Sequence, residues 1–551
     1  NAPIVLSPHD KNTVYYGGNV VFKSTDFGKT WQVISPDLTT NDPEKQKDAG
    51  GPVWTENTTA EYHCTIISLA ESPVRAGVIW AGTDDGNLQV TRDGGKTWTN
   101  VIKNVPGLPP FSPVSHVEPS RTSPDVAYVA FDRHMLDDFR PYIFKTADGG
   151  RTWTNISGNL PEGAYVWVVR EDPKNPNLLY AGTELGLYVS YTGGTNWIPL
   201  RLKNLPTVAV HDILIHPREN DLILGTHGRS IWIFDDATPI QQMSPEILRS
   251  DVHLFDIRPA LRFATRFTRY GIGNKVFTGP NPPYGALITY YLREKPDEKT
   301  TVKIQILDGA GKVIRELTQI PKEKGLNRTA WDLRYEGPKV RRPPSPEEVE
   351  FVGGPRGPQV LPGTYRVRLI VGEKTLEKPV EVRLDPTISV PDADLRAQRE
   401  VGLELRDLIS ATNDALRALD SLREQLQQIE RTVRDRLAEV PAELSRALSE
   451  HLKQVETLQN ELARPQNVPT YMTGPRLVER LNGLFFAIDG PSAAPTPAQM
   501  EYLGELRQEF AEKIERVNRL LSEDVPKLNE TLQRFHAPTV LVGRPIERPR
   551  S

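Results

Sequence analysis

The pattern of apolar and polar positions changes period once along this chain, near Pro391. Up to about residue 238 it consists of short apolar runs separated by Gly, Asp, Asn and Pro, the punctuation of an all-β repeat protein. In one unit Tyr165-Val166-Trp167-Val168-Val169 predicts an inner strand, and 172–177 a turn. Leu178 to Thr183 and Gly186 to Ser190 predict the next two strands, and Trp197 to Leu200 a short edge strand. Four strands per unit describe a propeller blade. Such units fall at about 1–36, 60–104, 112–157 and 163–201, and a fifth, 207–236, has only three strands. Residues 1–238 are thus about five blades, and 239–283 a Pro-punctuated connector. Alternation returns over 284–386, in Ala286 to Leu292, Val302 to Leu307 and Tyr365 to Val371, and predicts a β-sandwich interrupted by a Pro/Gly-rich loop at 337–363. That loop is expected either to wander or to lie on a partner. Beyond Pro391 the apolar residues recur every three or four positions, from Leu405, Leu408 and Thr412 to Leu437, which is one stripe on a helix of about a dozen turns. Further helices are predicted at 441–463, 475–488 and 497–534, bounded by prolines. The whole of 391–536 is expected to form a bundle that buries the stripe internally, although a partner-binding coiled coil would use the same stripe. Residues 537–551 read as an extended tail.

Within the first region one octad recurs: Thr91-Arg92-Asp93-Gly94-Gly95-Lys96-Thr97-Trp98, with further copies at 24–31 and 146–153 and a worn copy at 190–197. The shared chemistry of the copies is Asp26, Gly28 and Trp31; Asp93, Gly95 and Trp98; Asp148, Gly150 and Trp153; and Trp197 in the worn copy, where Thr192 stands in place of the Asp. Each octad joins two β runs, so it is a turn. The Asp accepts hydrogen bonds from the turn's own backbone, Gly supplies positive φ, and the Trp packs on a neighbouring sheet. A carboxylate present in every unit is structural rather than catalytic, and Thr192 in the worn copy agrees with that.

These octads resemble the Asp-box, or bacterial-neuraminidase repeat. Cys64 to Pro73, Ile79 to Gly86 and Gly225 to Asp236 resemble the sortilin-type β-propeller of exported bacterial proteins commonly labelled glycosyl hydrolases. The resemblance implies that the boxes lie on the outer turns, away from the ligand face, and that the protein is bacterial and periplasmic or extracellular. It also implies more blades than the chain displays, so the five are expected to be an incomplete part of a larger propeller completed by a protein partner or second polypeptide. A self-contained ring of five is the alternative. Asp308 to Ile314 and Leu361 to Tyr365 resemble the immunoglobulin-like domain of flagellar hook-cap proteins.

Charge and composition narrow the chemistry. A formal net charge of −4 gives no electrostatic reason to bind nucleic acid, and no apolar run is long enough for a membrane-spanning helix. A single cysteine, Cys64, excludes an internal disulfide framework. The chain begins at Asn1 inside a β repeat, which is read as processing or truncation with any export signal already gone. Sequons at Asn57, Asn155, Asn327 and Asn529 are expected to stay bare. His134 with Asp137 and Asp138 has the composition of a cation site, yet lies where solvated charges are the default, and no metal or cofactor is expected.

His116, Trp167 and His211, with Asp212 beside the last, occupy corresponding inner-strand positions and are the candidate ligand-binding residues. A glycosidase needs two carboxyl groups about 5–9.5 Å apart. Glu61, Glu118, Asp132, Asp137 and Asp138 are available, but none stands in a catalytic motif. The arginine cluster and activated tyrosine of sialidases cannot be assembled. Xyloglucan-cleaving enzymes face two Asp-box propellers across a cleft, and this chain displays part of one. The reading is therefore a binding or assembly module for protein, peptide or polysaccharide without catalysis. The alternative is a glycoside hydrolase acting on an extracellular polysaccharide, with Glu118, Asp137 and Asp138 as the first residues to test.

Overall fold

The structure is a computed structural model. It describes residues 2–48, 62–264, 275, 279, 281–345, 354–436, 439–465, 468, 472–547 and 549; Asn57, Glu61 and Leu437 lie outside them. The chain divides into two units, Asn1–Met243 and Ser244–Ser551.

The first unit is five antiparallel meander sheets, each in strict sequence order, the arrangement of propeller blades. The first blade is Ile4–Leu6, Val14–Gly17, Val21–Ser24 and Gln32–Val33. The second is Ile66–Glu71, Ile79–Thr83, Leu88–Thr91 and Thr99–Asn100. The third is His116–Pro119, Ala127–Phe131, Tyr142–Thr146 and Thr154–Asn155. The fourth is Val166–Glu171, Leu179–Thr183, Gly186–Ser190 and Ile198–Pro199. The fifth has three strands, Val210–Ile215, Leu222–Thr226 and Ile231–Phe234. Alternate residues of each sheet face its two neighbours. Ile79 and Ala81 of the second blade pack with Tyr15 and Val21 of the first, whereas Trp80 and Val90 pack with Val129 and Phe144 of the third.

Each octad is the turn between the third and fourth strands. Asp93 Oδ1 accepts from the Thr97 N–H at 2.9 Å and Oδ2 from the Thr97 hydroxyl at 2.7 Å, and Asp26 and Asp148 repeat both bonds on Thr30 and Thr152. Those bonds hold all three carboxyls down at about 2. In the worn copy the Thr192 hydroxyl takes over, accepting from the Asn196 N–H at 2.9 Å. The turn survives because it needs an acceptor, not a charge.

The tryptophan then reaches back to the preceding blade. Trp98 donates its indole N–H to the Ile34 carbonyl at 3.0 Å, and Trp197 to Ile156 at 2.9 Å. Trp153 meets Trp80 edge-on with ring centroids 5.9 Å apart. The second box glycine sets the approach: a Cβ on Gly95 would lie 2.5 Å from the Ile34 carbonyl oxygen, and one on Gly194 2.8 Å from Ile156.

In the second unit, the stretch 239–283 read as a connector contributes two strands and a short helix, Pro245–Arg249. Val252–Leu254 joins Ala286–Leu292 and Gly325–Trp331 in one sheet. Ala260–Arg262 runs parallel to Lys374–Leu384 at the edge of a second sheet, with Gly363–Val371, Val302–Leu307 and Val313–Leu317. The two sheets share one core around Trp331, Ile304 and Val367. Helices Asp392–Arg436, Ala442–Leu462, Leu477–Asp489, Pro497–Arg519 and Val525–Arg534 follow. The stripe from Leu405 to Val433 is buried among them, so it is internal packing and not a coiled-coil seam. A π-helical turn, Leu520–Asp524, precedes Pro526, whose missing N–H the wider turn accommodates. The described start of the 337–363 loop neither wanders nor projects: Arg341 Nε lies 2.7 Å from Asp420 and the Lys339 carbonyl accepts from Asn413 at 2.8 Å.

Candidate functional site

Three of the five inner strands carry a β-bulge near the start, between Ile66 and Ser68, Val166 and Val168, and Val210 and Asp212. The extra residues are Ile67, Trp167 and His211, which a bulge turns out of the pleat. Trp167 and His211 thereby meet, ring centroids 3.9 Å apart, and His211 stacks on His227 at 4.7 Å. On the other side of Trp167, Tyr165 stands at 5.6 Å and His134 at 5.4 Å, with His134 stacked on Tyr165 at 4.9 Å. The result is a continuous cluster of five rings spanning the third, fourth and fifth blades, with Tyr165 buried, His227 exposed and the other three between. Exposed Met135, Leu136, Phe139 and Leu185 stand beside these residues in the chain.

Two carboxylates, Asp132 and Glu184, bond these rings, and they hold places that recur from blade to blade. The residue after the second strand donates its N–H to the carbonyl just before the inner strand in four blades: Asp84 to Thr65, Asp132 to Pro113, Glu184 to Tyr165 and His227 to Ala209. Asp132 holds the His134 ring nitrogen at 2.7 and 2.8 Å, and Glu184 accepts the Trp167 indole N–H at 3.2 Å. Burial and the hydrogen bond to Glu184 push the Tyr165 hydroxyl up to about 12, so it stays a donor at neutral pH. Burial also raises the Asp84 carboxyl, against its contacts with Thr65 and His63. Burial, reinforced by His227, lowers His211; its buried Nε2 has no partner.

Of the residues singled out in the sequence, Trp167 and His211 belong to this cluster, while His116 and Asp212 do not. His116 is enclosed, and burial followed by the nearby Arg170 holds it well below the usual imidazole range. Arg170 bridges Glu118 at 2.8 Å and Asp212 at 3.0 Å, tying three successive inner strands together. Glu118 is spent on that bridge. Asp138 accepts from Arg140 at 2.8 Å, Tyr142 at 2.8 Å and Arg133 at 3.1 Å, which holds it well below the carboxylate range and fixes the loop that presents His134. Asp137 closes the short helical turn His134–Leu136 in the left-handed conformation, exposed. Glu118 and Asp138 are therefore positioning residues. The missed carboxylates, Asp84 and Glu184, had a signal: each follows a Gly-Thr pair ending the second strand, as His227 does. Among the described residues no three His, Cys, Asp or Glu side chains converge as metal ligands, and no helix is long and apolar enough to cross a membrane.

Comparison with known proteins gives distant similarity to propeller glycoside hydrolases. A protein described as a probable oligoxyloglucan-reducing end-specific xyloglucanase of Neosartorya fischeri is 24% identical over 263 residues, 42% of this chain and 31% of that protein. A xyloglucanase of a Paenibacillus species is 26% identical over 215 residues, 35% of this chain and 20% of that protein. The chain spans about a third or less of the length of these curated relatives. Among solved structures, a glycoside hydrolase family 74 enzyme of Niastella koreensis matches 71% of this chain and 46% of its own, with 11% identity and a TM-score of 0.29. No family model matches the chain.

Proposed function

We propose that this chain is a saccharide-acting propeller of the glycoside-hydrolase type, with its glycan site on the ring surface of Tyr165, Trp167, His134, His211 and His227. That surface is the observation that carries the reading. Pyranose rings present apolar C–H faces and equatorial hydroxyls, so stacked aromatics bordered by carboxylates match them in both respects. Hydrolysis needs one carboxyl group held protonated and another ionised. Asp84, raised by burial, is the candidate acid, and Asp132 and Glu184 are the candidate second carboxyl groups. Similarity to xyloglucanases supports a β-glucan-type polysaccharide as substrate. Such a polymer is met outside the cell, in keeping with an exported bacterial protein of the sortilin-like Asp-box kind, and the two-sheet module is read as an immunoglobulin-like accessory.

A second reading, binding without cleavage, is favoured by one observation: Asp132 and Glu184 are already engaged, one by His134 and the other by Trp167. One experiment separates them. Xyloglucan oligosaccharides are incubated with the protein and with Asp84→Asn, Asp132→Asn, Glu184→Gln and Trp167→Ala, with cleavage and affinity measured in parallel. Under the first reading each carboxamide variant loses about a hundredfold or more in cleavage with affinity nearly kept, and Trp167→Ala loses about 1–3 kcal/mol of binding. Binding by the wild type without cleavage supports the second reading. Absence of both binding and cleavage for every β-glucan tested sinks the two together.

A further inference from the structure

The tryptophan that links each blade to the one before it has no such partner in the first blade. Trp98, Trp153 and Trp197 are seated on the first, second and third blades, and Trp153 and Trp197 are only 6% and 2% exposed. Trp31 is 44% exposed, and its indole N–H turns back onto its own Gly28 carbonyl. The second box glycine agrees. A Cβ on Gly95, Gly150 or Gly194 would meet the neighbouring blade within 3.2 Å, whereas one on Gly28 would meet only Trp31.

The face beside Trp31 is apolar across the whole sheet. Ile4 pairs with Tyr16, Tyr16 with Phe22 and Phe22 with Val33, one cross-strand row over all four strands. Ile4 is 70% and Val33 52% exposed. Tyr15 and Val21, on the opposite face, are buried against the second blade. The chain therefore shows, four times over, what a blade does with such a face: it packs the next blade on it.

We infer that the first blade docks a further four-stranded propeller blade, one not among these 551 residues, whose carbonyl after the fourth strand accepts the Trp31 indole N–H. The carbonyls that take Trp98 and Trp197 belong to Ile34 and Ile156, each the residue following a fourth strand. Among the described residues the fifth blade has three strands and no fourth, so a second copy of this chain docking head to tail does not present that acceptor. The occupant is thus an Asp-box blade of another sequence. This surface is separate from the ring cluster of the third to fifth blades, and its test does not depend on saccharide chemistry.

The test places p-benzoylphenylalanine at Phe27, a 66% exposed box residue, in the full chain expressed in the organism of origin, and sequences the photocross-linked peptide. The expected product is a peptide from the fourth-strand exit of an Asp-box blade absent from these 551 residues. Trp31→Phe, which keeps a ring but removes the donor, should lower its yield about tenfold. A cross-link to another copy of this chain, to a protein without Asp boxes, or to nothing overturns the inference.

Discussion

Replacing Trp197 by Ala should unlock the fourth blade far more than replacing Trp31 unlocks the first. Trp197 is 2% exposed and donates to the Ile156 carbonyl at 2.9 Å. A tryptophan buries about 200 Å², which at about 25 cal/mol per Å² is roughly 5 kcal/mol of transfer free energy, and measured truncations of this kind cost about 3–5 kcal/mol. The abandoned Ile156 carbonyl adds about 1 kcal/mol where water cannot reach it. Trp31, by contrast, is 44% exposed with its N–H satisfied inside its own turn, so its loss from the isolated chain should cost under about 1 kcal/mol. Native-state hydrogen exchange resolves the two blades separately. In Trp197→Ala the amides of Val189 and Ser190 should exchange about a thousandfold to ten-thousandfold faster, at 1.4 kcal/mol per factor of ten. In Trp31→Ala the amides of Phe22 and Lys23 should move less than about tenfold. Equal acceleration in both would refute the stapling mechanism, because it would mean that the turn itself, and not the seat on the preceding blade, is what the tryptophan stabilises.

Acid should release the boxes together. Asp26, Asp93 and Asp148 are lowered from 3.8 to about 2, so their contribution is complete above about pH 4 and disappears as pH falls through 2. The Thr30, Thr97 and Thr152 amide shifts should titrate in that window, while Asn196, bonded to the Thr192 hydroxyl, should not. In the second unit, Asp489 accepts from Arg334 at 2.6 Å and from the Gln359 N–H at 3.1 Å, and is 4% exposed. Asp489→Ala leaves the mostly buried Arg334 guanidinium without its carboxylate, held by the Gly357 carbonyl, and should destabilise the unit by about 3 kcal/mol in urea unfolding; Arg334→Met in the same background should recover part of that. Asp138→Asn should loosen the loop that presents His134 and weaken any ligand bound on the rings about tenfold, while leaving the fourth blade's exchange rates unchanged.

The periodicity of the sequence carried the blades, the two-sheet region and the helices, because burial writes a period of two or of three to four directly into the chain. The boxes were legible for the same reason: a turn repeated with one acceptor, one positive-φ glycine and one large ring has few other meanings. What was not legible was the direction in which each ring reaches, since Trp98 and Ile34 are far apart in sequence and only packing joins them. The ring cluster was half visible. Trp167 and His211 stood out as aromatic and imidazole groups on inner strands, but His116 and Asp212 occupy paired positions of those strands, opposite Ala130 and Gly225, and not the bulge. A bulge at Trp167 and at His211 decides which side chains leave the pleat, and no residue pattern announces it. Val252–Leu254 and Ala260–Arg262 were hidden by their shortness and by the prolines around them.

Because Trp98, Trp153 and Trp197 all seat backwards, the blade array has a grain, and it should show under mechanical load. Pulling on the fifth blade peels off a sheet that holds no tryptophan on its neighbour by an octad, so the first rupture should need little force. Each later rupture must draw an indole out of its seat as well as separate two apolar faces. A single-molecule trace pulled from that end should therefore rise from a soft first event to a series of harder, nearly equal ones, a ratchet built from a turn motif.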